Sequence, residues 1–272
     1  LRIGNWEGFR TRRVAALERG VRRGIGLAAY VETSTGAPRE RTEMTVRPEG
    51  YIDVIIGTLS SGQGHETSFA QLVTEWLEVP LDAVRLITGD TDVVEVGGGS
   101  HSGRSMRLAG IIIGKASDDI IARGRSIAGH LLEAAESDIA FADGRFSVVG
   151  TDRSIGIFEV AAAAETRADL PQELRGPLAA VSDETIKVAA FPFGCHVCEV
   201  EVDVDTGAIE LVSYAAVDDV GNAINPMILH GQTHGGIAQG AGQALLEHAH
   251  YNALTGQLLS GSLMDYALSR AD

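Results

Sequence analysis

Gly97-Gly98-Gly99-Ser100-His101-Ser102-Gly103-Arg104-Ser105-Met106-Arg107-Leu108-Ala109-Gly110 carries glycines, serine hydroxyls and two guanidinium groups into an apolar periodic pattern. The pattern runs from about Arg107 to Leu132 and predicts a long, well-buried helix, with Leu108, Ile111, Ile112, Ile120 and Leu131 around much of its circumference. Backbone N–H groups freed by glycine, with hydroxyls and arginine at a helix start, suit an anion, most often a phosphate. The plain alternative is a surface loop that happens to precede a helix, and this stretch alone does not choose between them.

Two further glycine-rich stretches share this character. Tyr51–Thr58 has strand alternation and runs into Gly62-Gln63-Gly64-His65-Glu66-Thr67, after which Phe69, Leu72, Val73, Trp76 and Leu77 recur at helical spacing. That helix stops before Pro80. Near the other end, Asp218–Pro226 leads into a helix from about Met227 to Glu247 that contains Gly231, Gly235, Gly236, Gly240 and Gly242. Each glycine weakens a helix by about 1 kcal/mol relative to alanine, so another backbone or a ligand is expected close by. Gln63 and Gln232 add amide donors and acceptors, which suit the edge of a pterin or a base.

The remaining segments read as a mixture. A short helix is expected over Asn5–Glu18 and a strand over Gly24–Thr33. Strands are expected over Glu43–Arg47 and Ala83–Thr88, and a hairpin over Asp138–Val149 around Asp143-Gly144. Ser154 is expected to cap a short helix through Phe158 and Val160. Strands follow at Thr185–Ala190, Gly194–Asp205 and Ala208–Val217, with a turn at Asp205-Thr206-Gly207. The fold class is therefore α+β, with mixed sheets packed against helices. A short echo between Gly62-Gln63-Gly64-His65 and Gly231-Gln232-Thr233-His234 fits two related halves. They are placed at residues 1–165 and 184–272, joined by the polar, proline-containing stretch 166–183.

Composition excludes several classes. The chain has 272 residues, 44% hydrophobic and 22% charged, as expected of a globular protein. A net charge of −15 argues against a general nucleic-acid or anionic-membrane surface. No apolar run approaches a membrane span, and no signal peptide is visible. Cys195 and Cys198 are three apart in a predicted strand, so they point to opposite faces and read as structural thiols in a reducing, cytoplasmic compartment. There is no G-x-x-x-x-G-K-[ST] phosphate loop and no G-x-S-x-G elbow. His230 and His234 have the spacing of a zinc motif, but Gly231 stands where its glutamate would be. Asp90 with Asp92, and Asp218 with Asp219, read as turn caps rather than paired catalytic carboxylates.

Five segments stand in a recognisable order: Gly62–Thr67, Gly89–Asp92, Gly103–Met106, Asp219–Pro226 and Gly231–Gly240. From about Gly24 to Asp272 the sequence resembles the second molybdopterin-binding domain of the xanthine dehydrogenase, aldehyde oxidase and carbon monoxide dehydrogenase large subunits. The resemblance implies a molybdenum–molybdopterin cofactor, in bacteria usually the cytosine dinucleotide. It implies cofactor contacts at Gly62, Gln63 and Gly64, at Ser102, Arg104 and Ser105, and at Gln232. It further implies oxidation of an aldehyde, an N-heterocycle or carbon monoxide with oxygen from water. Electrons would leave through iron–sulfur and FAD units on partner domains or subunits.

Three departures qualify this. Gly103 stands where relatives commonly have serine, and Ser269 replaces the proline of a D-Y-x-L-P-R pattern. The family's catalytic glutamate lies in a G-x-G-E segment beyond Asp272, so no catalytic residue and no metal ligand are expected in this chain. The chain begins at Leu1 without methionine and ends in a polar turn. The expectation is a piece of a longer large subunit, inactive alone. The competing reading is a non-catalytic α/β module that binds another phosphorylated ligand.

Overall fold

The computed structural model describes residues 2–33 and 36–270. Its elements in chain order are α1 (Phe9–Glu18), β1 (Val21–Val31), β2 (Arg39–Arg47), β3 (Tyr51–Ile56), α2 (His65–Leu77), β4 (Val84–Ile87) and α3 (Arg104–Leu131). They continue with β5 (Ile139–Ala142), β6 (Arg145–Val148), β7 (Ser154–Gly156), α4 (Ile157–Thr166), β8 (Leu178–Thr185), β9 (Phe193–Asp203), β10 (Ile209–Asp219) and α5 (Pro226–Leu245). Mixed sheets packed with helices make the α+β class expected from the sequence.

The chain divides into two compact units. Residues 32–191 form one of them, and residues 1–31 with 192–272 form the other. This division differs from halves separated at 166–183: β8 starts inside that stretch, at Leu178, and pairs with β2. The polar composition of 166–177 reflects a loop between α4 and β8 within one unit.

The unit of residues 32–191 holds the hydrophobic core, which extends from Met44 to Leu178. Its main sheet has the order β4-β3-β2-β8. β2 alternates strictly, with Thr42, Met44 and Val46 buried and the residues between them partly exposed. That period of two places one side of the strand in the core. β3 pairs antiparallel with β2 and parallel with β4, and α2 makes the crossover between the parallel strands. The long helix α3 buries Leu108, Ala109, Ile112, Ala116, Ile120 and Ile127 along its inner side. Gly124 admits the Phe146 ring, since a Cβ there would overlap it. β5, β6 and β7 form a small antiparallel meander.

Two local expectations differ from the structure here. Ser154 begins β7 rather than capping a helix, and α4 starts at Ile157. The Gly156 N–H donates to Glu159 Oε2 at 2.6 Å, so the glutamate caps from inside the first turn. The apolar stretch after Thr185 is not a strand; β8 has already ended there.

The other unit is a three-stranded antiparallel sheet, β1-β9-β10, with α1, α5 and the C-terminal segment. α1 starts at Phe9, four residues later than its sequence reading. It is held by ions: Glu199 of β9, almost fully buried, accepts from Arg12 and from Arg23. Cys195 and Cys198 lie on β9 as free thiols, on opposite faces as their spacing requires. Leu27, Tyr30, Val31, Phe193, Tyr214 and Val217 of this sheet remain exposed. α5 buries only Gly242. A Cβ on Gly231, Gly235, Gly236 or Gly240 would meet nothing within 4 Å, so the close neighbour expected for these glycines is not supplied by the described residues.

Candidate functional site

Both loops of interest leave the carboxyl ends of the parallel strands β3 and β4. Residues 57–64 connect β3 to α2, and residues 88–103 connect β4 to α3. The carboxyl edge of parallel strands followed by helices is where α/β sheets receive ligands, because helix N-termini with unpaired N–H groups converge there.

Backbone conformation explains the glycines. Gly62 and Gly64 have φ of 109° and 74°, and Gly64 is the N-cap of α2. Gly99 is also left-handed, with φ of 74°. Gly57 and Gly97 cross so closely that a Cβ on either would overlap the Cα of the other. A direct bond joins the loops: Ser100 Oγ donates to the Leu59 carbonyl at 2.6 Å.

The expected site residues fall into three groups. Gln63 is half-buried, and its Oε1 accepts from the Ser61 N–H at 2.5 Å, which folds the amide back over its own loop. Ser102 is exposed, with φ of 45°, just ahead of α3. Ser105 sits in the first turn of α3, 8% exposed. Gln232 belongs to the other unit, on the exposed surface of α5. The echo between the two Gly-Gln stretches is one of sequence only: Gln63 precedes a helix, whereas Gln232 lies well inside one.

Arg104 is the most enclosed of the expected site residues. It is 1% exposed. Nε and Nη2 donate to the Ala37 carbonyl at 3.1 and 2.9 Å, and Nη2 also reaches the Arg39 carbonyl at 3.2 Å. Nη1 donates to the Gly99 carbonyl. Nη2 pairs with Glu40 Oε2 at 2.9 Å. A guanidinium enclosed in this way is a strut between chain segments and does not face an external anion. Gly98 is glycine for the same reason, since a Cβ there would collide with Nη2.

Two residues of this region were not singled out from the sequence. Glu40 is fully buried on the core side of β2, in line with Thr42 and Met44. A carboxylate on the apolar side of an alternating strand was the available signal. His65 is 5% exposed, stacks on Phe69 with ring centroids 4.5 Å apart, and donates from Nδ1 to the Thr58 carbonyl at 3.1 Å. Burial holds its pKa below the ordinary value. The Thr58 hydroxyl, also buried, lacks a hydrogen-bond partner among the described residues. A polar depression of about 700 Å³ lies at the opposite end of α3, around His130, Glu136, Arg167 and Asp169. It is open to solvent and lies away from the loop edge.

The model of the molybdopterin cofactor-binding domain matches residues 2–272. This chain belongs to that family. Among similar proteins, the carbon monoxide dehydrogenase large chain of Hydrogenophaga pseudoflava is 33% identical over 267 residues, covering 91% of this chain and 32% of that protein. The 6-hydroxypseudooxynicotine dehydrogenase complex subunit gamma of Paenarthrobacter nicotinovorans is also 33% identical, covering 91% of this chain and 31% of its own length. In structure, this molybdopterin-binding domain is similar to quinoline 2-oxidoreductase from Pseudomonas putida 86, with a TM-score of 0.87 at 34% identity over 99% of this chain and 36% of that one. It is similar to carbon monoxide dehydrogenase from Oligotropha carboxidovorans with a TM-score of 0.85 at 31% identity, over 98% and 35% of the two chains. The domain spans about a third of the length of these relatives. The resemblance to the xanthine dehydrogenase and carbon monoxide dehydrogenase large subunits is thereby confirmed.

Proposed function

We propose that this domain holds molybdenum–molybdopterin, as its cytosine dinucleotide, within the large subunit of a cytoplasmic molybdenum hydroxylase. The observation carrying this reading is the pair of glycine loops at the carboxyl ends of β3 and β4, joined by Ser100 and Leu59 and opening onto α2 and α3. The donor set fits an anionic, heterocyclic group. N–H groups at the two helix starts favour phosphate oxygens, and Ser105 places a hydroxyl in the first turn of α3. Gly62, Gln63 and Gly64 form the wall on the α2 side, and Ser102 and Ser105 the wall on the α3 side. Gln232 is assigned an amide contact on its sequence motif alone.

When bound, the cofactor supplies two-electron redox chemistry for hydroxylating an aldehyde, an N-heterocycle or carbon monoxide, with water as the oxygen source. The residues of this chain bind and orient it. The catalytic base is assigned to polypeptide outside these residues, and electron transfer to iron–sulfur and FAD units of partner domains or subunits. The uncovered faces of β1-β9-β10 and α5 support a role for the remainder of a large subunit as a packing partner.

The test is metal analysis and mass spectrometry of the complete gene product from a molybdenum-replete host. Molybdenum with a pterin dinucleotide is expected, and a nucleotide without molybdenum would overturn the reading. The 272-residue chain alone is expected to show no substrate-dependent dye reduction when supplied with cofactor.

A further inference from the structure

We propose that Glu40 is the positioning residue of the two loops, acting through Arg104 and the Gly98 N–H rather than by touching a ligand. Glu40 sits on β2, a strand neither loop belongs to, and is inaccessible to solvent. Its Oε2 accepts from Arg104 Nη2 at 2.9 Å and from the Gly98 N–H at 3.3 Å. Its Oε1 accepts from the Arg41 N–H at 3.3 Å and lies beneath Gly57, where an added Cβ would come within 2.9 Å. One carboxylate therefore meets the residue that follows β3, the start of the 97–103 segment and the side chain that opens α3.

Arg104 extends the reach of this group. Its guanidinium gathers the carbonyls of Ala37 and Arg39, around the start of β2, and of Gly99, in the loop before α3. From Gly99 the path continues through Ser100 to the Leu59 carbonyl, and so to the loop carrying Gly62 and Gln63. A guanidinium is planar and has donors in fixed directions, so it sets the angle between these segments as well as their distance. Burying such a pair is not an economical route to stability, because desolvation of both charges offsets most of their attraction. A fixed geometry for exposed backbone N–H groups is what the pair provides in return.

The cofactor arm of the test rests on the function proposed above; the loop arm does not. Two variants of the complete gene product serve: Glu40→Leu combined with Arg104→Met, which removes both charges and keeps most of the volume, and Glu40→Gln. Thermal melting, amide exchange of residues 97–103 by mass spectrometry, and molybdenum and pterin per chain are measured. The double variant is expected to melt within about 5 °C of the parent. Its 97–103 amides should exchange about tenfold faster. Its molybdenum content should fall about tenfold, the scale seen when partners that orient a metal site are removed. Glu40→Gln keeps a carbonyl acceptor and should fall between parent and double variant. Parental loop exchange in both variants would overturn the proposal. Loosening spread equally over α2, α3 and β2 would mark a purely structural pair and would also overturn it. If the double variant does not fold, Glu40→Gln decides by the same loop exchange. A parent without molybdenum would count against the proposed function, while loop exchange would still judge Glu40.

Discussion

Gly97 lies across Gly57 with no room for a side chain on either, so the end of β3 and the approach to α3 are in backbone contact. Only the absence of both Cβ atoms permits this crossing. Gly97→Ala should push the 97–103 loop away from β3 and destabilise residues 32–191 by about 1–3 kcal/mol, the range of overpacked interiors. Urea unfolding checks the stability. Unchanged stability and unchanged cofactor content together would show that the loop can shift without consequence.

His65 gives the site region an acid-sensitive element. Burial lowers its pKa from the ordinary 6.5, and the Nδ1 bond to Thr58 does not reverse that. A histidine that is neutral when folded and protonated more readily when unfolded contributes its full stability above pH about 6.5. That contribution declines as pH falls through this value toward the depressed folded pKa. The parent should therefore lose more stability than His65→Gln between pH 7 and pH 5, measured by urea unfolding at each pH. Parallel curves for the two proteins would show that His65 does not carry the effect.

How far the sequence was legible can be argued from these residues. The two strand-to-helix junctions were readable because periodicity changes from two to 3.6 across a glycine cluster, at Gly62-Gly64 and again at Gly97-Gly103. Cys195 and Cys198 were readable from strand alternation alone. The role of Arg104 was not, because a guanidinium beside hydroxyls looks the same in sequence whether it faces a phosphate or a carboxylate 64 residues away. Glu40 was hidden because β2 was read from Glu43 onward, which cut off the alternation that marks it as buried. The boundary at 166–183 misled because loop composition reports solvent exposure, while the pairing of β8 with β2 is set by contacts distant in sequence.

Glu199 should make the attachment of α1 pH-dependent in a more acidic range. Its hydrogen bond from Arg12, with a second from Arg23, holds the carboxyl below its ordinary 4.5. A depressed folded pKa means that the contribution is complete above pH about 4.5 and is lost as pH falls through the lower folded value. Glu199→Gln should remove this acid dependence and cost about 2 kcal/mol at neutral pH, the scale of hydrogen bonds to charged groups. Amide exchange within residues 9–18 is the direct reading. Protection of α1 that is the same in parent and variant at pH 7 would show that the ions do not hold it.

The glycines of α5 allow the chain and the complete gene product to be told apart. In the structure, Gly231, Gly235, Gly236 and Gly240 have open space where a Cβ would go. Alanine at such a site removes unfolded-state freedom and improves helix propensity, by about 1 kcal/mol per position. Gly235→Ala should therefore stabilise α5 in the 272-residue chain, seen as slower amide exchange over 226–245. In the complete gene product the expected sign is reversed. If further polypeptide or a cofactor approaches this helix at backbone distance, a new methyl group overlaps it, costing about 1–3 kcal/mol and lowering molybdenum content. Stabilisation in both forms would mean that α5 remains open even in the complete protein, and that its glycines do not serve close approach.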